Sequence, residues 1–214
     1  HVSSVYLVIE MPDVANNRVV LHPLHVRSGD NVEVTGSGHE DVCLGNDIIE
    51  RDDMNAEQAR VYDAAKEAGD PLGGPFYAYI RIPDLFQKTQ DMRNCLGAGP
   101  LNNRERQIVL LLVSRHWDAR YPWFAQSRNG LKVGLDRQII DAINARQTPE
   151  LSDERERMCF VVASELLSTR RLSDATYAAA EAVMGEIDLV ALVAATGQFG
   201  MTCCTANAFD VDPP

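Results

Sequence analysis

Ala119-Arg120-Tyr121-Pro122-Trp123-Phe124-Ala125-Gln126 stands between the apolar run Arg104–Trp117 and the helical-looking stretch Ser127–Val133. Within the first flank, Ile108-Val109-Leu110-Leu111-Leu112-Val113 is apolar all round, which fits a central buried helix or a buried strand. The charged lead-in Arg104-Glu105-Arg106 and the length of the run favour the helix. A following helix is predicted over Trp123–Val133, ended by Gly134. Two helices joined by an aromatic corner therefore set the reading of everything around them.

Outward from this corner the chain punctuates itself as helices. Asn55-Ala56-Glu57-Gln58 places a capping residue three positions ahead of a Gln, and Gly69 is placed to end that helix in a left-handed cap. Asp70–Pro75 holds two Gly and two Pro and reads as a loop. Pro83 can open a helix that runs to about Leu96 and stops at Gly97. Further helices are predicted over Arg137–Asn144, over Asp153–Ser168 capped by Ser152, and over Asp174–Met184 between Ser173 and Gly185. Ile187–Asn207 closes the set, rich in Ala, Val and small residues that suit close helix contact.

Residues 1–53 read as a separate extension or arm, and residues 54–214 as the helical domain. Val5–Ile9, Arg18–Leu21 and Val32–Val34 are β-prone runs between turn residues, consistent with two or three short strands or with a loosely ordered arm docked on a neighbouring subunit. The fold class expected is all-α, a helical bundle with an irregular or short-stranded N-terminal extension.

The 214 residues carry a net charge of -11, which argues against nucleic acid or an anionic membrane as partner, since either needs a cationic face. No run approaches the roughly 18 apolar residues of a membrane-spanning helix, and no signal peptide is visible, so a cytoplasmic location is expected. The five cysteines, Cys43, Cys95, Cys159, Cys203 and Cys204, are odd in number and scattered, unlike a secreted disulfide framework.

Six short pieces, in order, resemble the carboxymuconolactone decarboxylase and alkylhydroperoxidase-D-like superfamily. They are Gly74-Pro75-Phe76 with Ile82–Leu85, Arg104–Leu110, Tyr121-x-Trp123 with Gly134-Leu135, Ser152–Arg155, Leu172–Tyr177 and Asn207–Val211. The resemblance implies a helical fold and a homo-oligomer, trimer or hexamer, with a dimer also possible. Peroxidases of that family carry Cys-x-x-Cys with a His four residues on and a Glu that completes a proton relay. Laid on this pattern, the two thiols fall on Ala119 and Pro122, the His on Gln126 and the Glu on Gln107.

A thiol peroxidase needs a low-pKa thiolate, a resolving thiol and a titratable relay. None of the four residues supplies any of these, so Cys-x-x-Cys peroxidase activity is not expected. Decarboxylases of the family are His-rich near this motif, where Ala125 and Gln126 stand here. The function expected is instead a lyase or isomerase acting on a small carboxylated or ring-containing molecule; the alternative is a non-catalytic ligand-binding or assembly protein on the same scaffold.

For the enzyme, His116 is the candidate acid–base group, being the imidazole near this corner, and imidazole is the side chain suited to proton transfer near neutral pH. Its competing reading is a helix-end residue that bonds the last carbonyls or water. Gln107, Arg120, Tyr121, Trp123 and Gln126 are the candidate substrate-binding residues. Arg120 would anchor a carboxylate or sit in an ion pair. Tyr121 and Trp123, with Trp117, would wall a planar ligand or pack between helices.

A peroxidase built on Cys203 and Cys204 is the remote third reading. Adjacent cysteines in mid-helix point about 100° apart and read as small core residues. His22 and His25 flank Pro23, with His39 distant, and Gly36-Ser37-Gly38 lacks phosphate-loop spacing. No cofactor and no metal are expected.

Overall fold

Asn55 and Asn102 open their helices with the same device. Asn55 Oδ1 accepts from the backbone of Glu57 and Gln58, at 3.0 and 2.9 Å, while Gln58 Oε1 accepts from Asn55 N at 3.0 Å. Asn102 Oδ1 accepts from Arg104 N and Glu105 N, both at 2.9 Å, and Glu105 Oε2 accepts from Asn102 N at 2.9 Å. Each box satisfies backbone donors that a helix start otherwise leaves to water.

The structure is a computed structural model that describes the backbone of residues 5–13 and 18–26, and residues 48–213 in full. The chain divides into two compact units, 1–41 and 42–214. In the first, β1 (Val5–Asp13) pairs antiparallel with β2 (Arg18–Val26), in register from Val5 opposite Val26 to Asp13 opposite Arg18. The β2 strand runs past Leu21 and through Pro23, which a two-stranded ribbon tolerates because each strand is also an edge. Val32–Val34, Gly36-Ser37-Gly38, His39, Cys43 and the side chains of His22 and His25 lie outside the described residues.

The second unit is helical: α1 (Ala56–Ala68), α2 (Phe76–Tyr79), α3 (Pro83–Gly97), α4 (Asn103–His116), α5 (Arg120–Lys132), α6 (Arg137–Asn144), α7 (Glu154–Thr169) and α8 (Asp174–Ala208). A 3-10 turn at Arg51–Asp53 precedes them. Ile49 packs on the cluster of Val61, Phe76 and Phe86, and Arg51 pairs with Asp63, so this unit takes in residues ahead of position 54.

Helix α4 runs through the middle, against α5, α6, α7 and α8. Its apolar run faces two ways. Val109 and Val113 join Val162, Leu192 and Phe199 in one core, while Ile108 and Leu111 join Ile139, Ile140 and Ile143 in another. A helix buried on both sides must be apolar all round.

Two crossed ion pairs fix α7 on the start of α4. Arg104 Nε donates to Glu156 Oε1 at 2.6 Å, and Arg155 Nε donates to Glu105 Oε1 at 2.7 Å. Arg155 also reaches Asp188 of α8 at 2.8 Å, and hydrogen bonding to the two carboxylates raises its pKa.

Several boundaries differ from expectation. Helix α5 begins at Arg120, three residues before Trp123. Pro122 is tolerated there because a residue in the first turn needs no intrahelical N–H partner, and the first such bond comes from Trp123 N to Ala119 O at 2.9 Å. Asp153, one residue after Ser152, caps α7 by accepting from Glu156 N at 2.9 Å. The four-residue α2 had no sequence prediction. Gly185 does interrupt α8, at φ 79° and ψ 165°, a conformation that only glycine adopts freely. Among the described residues, no helix is long and apolar enough to cross a membrane.

Candidate functional site

Gln107 on α4 and Gln126 on α5 meet where these helices pack. Gln107 Nε2 donates to Gln126 Oε1 at 2.8 Å and to the Gln126 backbone carbonyl at 2.9 Å. Asn129 Nδ2 lies 3.5 Å from the same Oε1. The pair lines a cavity of about 600 Å³ between α3, α4, α5, α8 and the loop at Pro71–Pro75. Each helix contributes one face: Arg106, Gln107 and Leu110 from α4, and Ala195, Gln198, Phe199 and Thr202 from α8. These are the i, i+3, i+4 spacings that bring residues to one side of a helix.

Tyr121 forms a wall of this cavity, and the loop is shaped to receive it. Gly74 has φ +66°, and a Cβ built there would stand 2.3 Å from Tyr121 Cε1. A Cβ at Gly73 would lie 3.4 Å from the Tyr121 hydroxyl, in ordinary contact. Burial raises the Tyr121 phenol's pKa, with Tyr77 adding to the effect, so the hydroxyl stays protonated at neutral pH.

Charge in the cavity comes from two arginines. Burial lowers the pKa of the Arg93 guanidinium; Asp70, 3.4 Å away, opposes this and Arg106 adds to it. Arg106 donates Nη1 to Gly97 O and Nη2 to Asn103 Oδ1, both at 2.9 Å, and pairs with no carboxylate among the described residues. Of the two guanidiniums only Arg93 faces a carboxylate, Asp70, which is itself held by Asn94 Nδ2 at 3.0 Å. Phe76, Leu110, Pro122 and Phe199 give the cavity its apolar walls, beside uncharged polar residues such as Asn94, Gln198 and Thr202.

Of the six candidate site residues, the cavity gathers Gln107, Tyr121 and Gln126. Trp123 packs instead on the core cluster of Ile139 and Ile140. Arg120 is exposed and paired with Asp212 at 2.8 Å. His116 is exposed and lines a different, shallower groove of about 360 Å³ with Arg115, Arg146 and Ser164. Nine residues separate it from Gln107, a rotation of about 180° and a rise of about 13 Å along α4. The expectation that His116 works in the same pocket as the two glutamines is therefore corrected. Arg93 and Arg106 went unnoticed in the sequence; the signal that could have found Arg106 is its place on the same α4 face as Leu110.

Cys203 is buried and its neighbour Cys204 exposed, as mid-helix spacing requires. Burial pushes the Cys203 thiol up to about 12, and does the same to Cys159. A thiol so protonated is a poor nucleophile at neutral pH. No group of three His, Cys, Asp or Glu side chains among the described residues is placed to hold a metal ion.

No family model and no curated protein matches the chain. Solved structures do. One is an uncharacterized peroxidase-related protein from Silicibacter sp. TM1040, at TM-score 0.66 and 20% identity, covering 84% of this chain and 96% of that one. A second is an alkylhydroperoxidase AhpD core, an uncharacterized peroxidase-related protein from Ralstonia eutropha JMP134, at TM-score 0.64 and 17% identity, covering 78% and 90%. A third is the debrominase Bmp8 in complex with 2,3,4-tribromopyrrole, at TM-score 0.60 and 17% identity, covering 73% and 85%. The helical unit has the AhpD-like fold. At such identities the likeness is one of fold.

Proposed function

We propose that the helical domain binds a small ring-containing organic carboxylate in the cavity between α3, α4, α5 and α8. The observation that carries this reading is the pair Arg93 and Arg106, which line the same largely apolar cavity while only Arg93 has a carboxylate partner, Asp70, among the described residues. A carboxylate supplies the missing counter-charge, and a ring fills the space beside Leu110 and Phe199. The tribromopyrrole held by the debrominase is a ring of this size class on the same fold. Binding without chemistry is the favoured form, because the described lining contains no His, Cys, Asp or Glu.

A lyase or isomerase remains as the second reading through one group, the protonated Tyr121 phenol, which can donate to a substrate oxygen or carbanion. His116 lies outside this cavity, in the groove beside Arg146, and has no part in either reading.

We further propose that the chain self-associates in the cytoplasm through α8, where Ile187 and Val190 are 78% and 63% exposed and Val193 and Met201 extend the same apolar stripe.

Calorimetric titration of the full chain with cyclopentanecarboxylate and benzoate tests the binding reading. Saturable binding that Arg106→Ala weakens by at least ten-fold supports it; heats no larger than dilution, or affinity untouched by Arg106→Ala, overturns it.

A further inference from the structure

The glutamine pair does more than close the space between α4 and α5. A glutamine amide can turn over, so the hydrogen bonds decide which end is which. Here a backbone carbonyl, which can only accept, decides for both residues. Because Gln107 must present Nε2 to the Gln126 carbonyl at 2.9 Å, its Oε1 points away. Because that same Nε2 meets Gln126 at 2.8 Å, the Gln126 atom facing it is Oε1, and Gln126 Nε2 points away in turn. Asn129 Nδ2, approaching the same Oε1, agrees with this polarity.

Gln107 Oε1 and Gln126 Nε2 make no hydrogen bond among the described residues, and neither is sealed from solvent. Gln107 is only 6% exposed and lines the cavity, so what its amide shows, it shows to the cavity. The pair thus offers one acceptor and one donor to whatever lies between α4 and α5. Water can satisfy both, but a ligand that displaces this water must replace both bonds or leave a buried polar atom unpaired.

We propose that the site selects a carboxylated lactam or similar cyclic amide, whose ring N–H donates to Gln107 Oε1 and whose carbonyl accepts from Gln126 Nε2. A lactone has the carbonyl but no N–H, and a plain carbocycle has neither. The inference rests on the carboxylate-binding reading above, and adds to it the order in which three rings of one size should bind.

The test is calorimetric titration of the full chain with pyroglutamate, its lactone isostere γ-butyrolactone-γ-carboxylate, and cyclopentanecarboxylate. Pyroglutamate is expected to bind about five-fold tighter than the lactone, and the lactone about five-fold tighter than the carbocycle. Gln126→Glu keeps an acceptor for Gln107 Nε2 but removes the donor, so it should abolish the second step and preserve the first. If all three acids bind equally, the donor–acceptor edge is refuted while carboxylate binding stands. If none binds, both readings fall together.

Discussion

The ring of Tyr121 lies so close to Gly74 that a Cβ at that glycine would stand 2.3 Å from Tyr121 Cε1. Two independent features demand glycine there, the contact and the positive φ of +66°. Gly74→Ala should therefore destabilise the fold by about 1–3 kcal/mol and weaken ligand binding by displacing the cavity wall. Tyr121→Ala in the same chain should recover the part due to the contact, leaving the φ penalty. Urea unfolding of the two single variants and the double variant measures this coupling. Additive effects would mean that the ring does not depend on the glycine.

Glu105 joins three elements, capping α4 and receiving Arg155 of α7, which itself reaches Asp188 of α8. Its side chain is 1% exposed. Glu105→Ala should cost about 3–5 kcal/mol, because it leaves Arg155 short of a partner and a backbone donor uncapped. Arg51→Ala, at the exposed Asp63 pair, should leave the urea midpoint nearly unchanged.

The buried thiols give stability a defined alkaline limit. Cys203 and Cys159 have pKa values pushed from 9.0 up to about 12, so the folded chain holds protons there that the unfolded chain releases. Their contribution is complete below pH 9 and is lost as pH rises from 9 through 12. One such thiol gives a slope approaching about 1.4 kcal/mol per pH unit. Urea midpoints between pH 8 and pH 11 should fall steeply for the wild type and less steeply for Cys203→Ala.

The same burial governs reactivity. Of the four described cysteines, Cys95 and Cys204 are exposed and should react promptly with Ellman's reagent, whereas Cys159 and Cys203 should wait for unfolding. The chain should consume no cumene hydroperoxide in the presence of dithiothreitol beyond what the Cys203→Ser, Cys204→Ser variant consumes. Turnover lost in that variant would reinstate a thiol peroxidase.

Self-association through α8 makes its own forecast. Val190→Glu should lower the sedimentation coefficient to that of a monomer while the circular dichroism spectrum is retained. An unchanged sedimentation coefficient would place any contact elsewhere.

Much of the fold was legible because its signals are local. Asn55, Gly69, Pro83, Ser173 and Gly185 act through their own backbone or a neighbour three residues away, and each does what its residue type dictates. Pro122 hides the start of α5 at Arg120, since proline breaks a helix interior yet is accepted in a first turn. The site was legible in part. The family pattern singled out Gln107 and Gln126, and the structure joins them. His116 is near the motif in sequence, but nine residues of helix turn it away from Gln107. Arg93 looks like any solvated helical arginine until packing of α3 on α1 and α8 brings its last turns beside Arg106; no local pattern encodes that neighbourhood.

We propose a carboxylate between Arg93 and Arg106, and a crystal structure of the chain soaked in benzoate would locate it. The carboxylate should lie within hydrogen-bond distance of both guanidiniums, with the ring toward Leu110 and Phe199. Benzoate found only in the groove beside His116 and Arg146, or absent from the α3–α4–α5–α8 cavity at saturation, would contradict it.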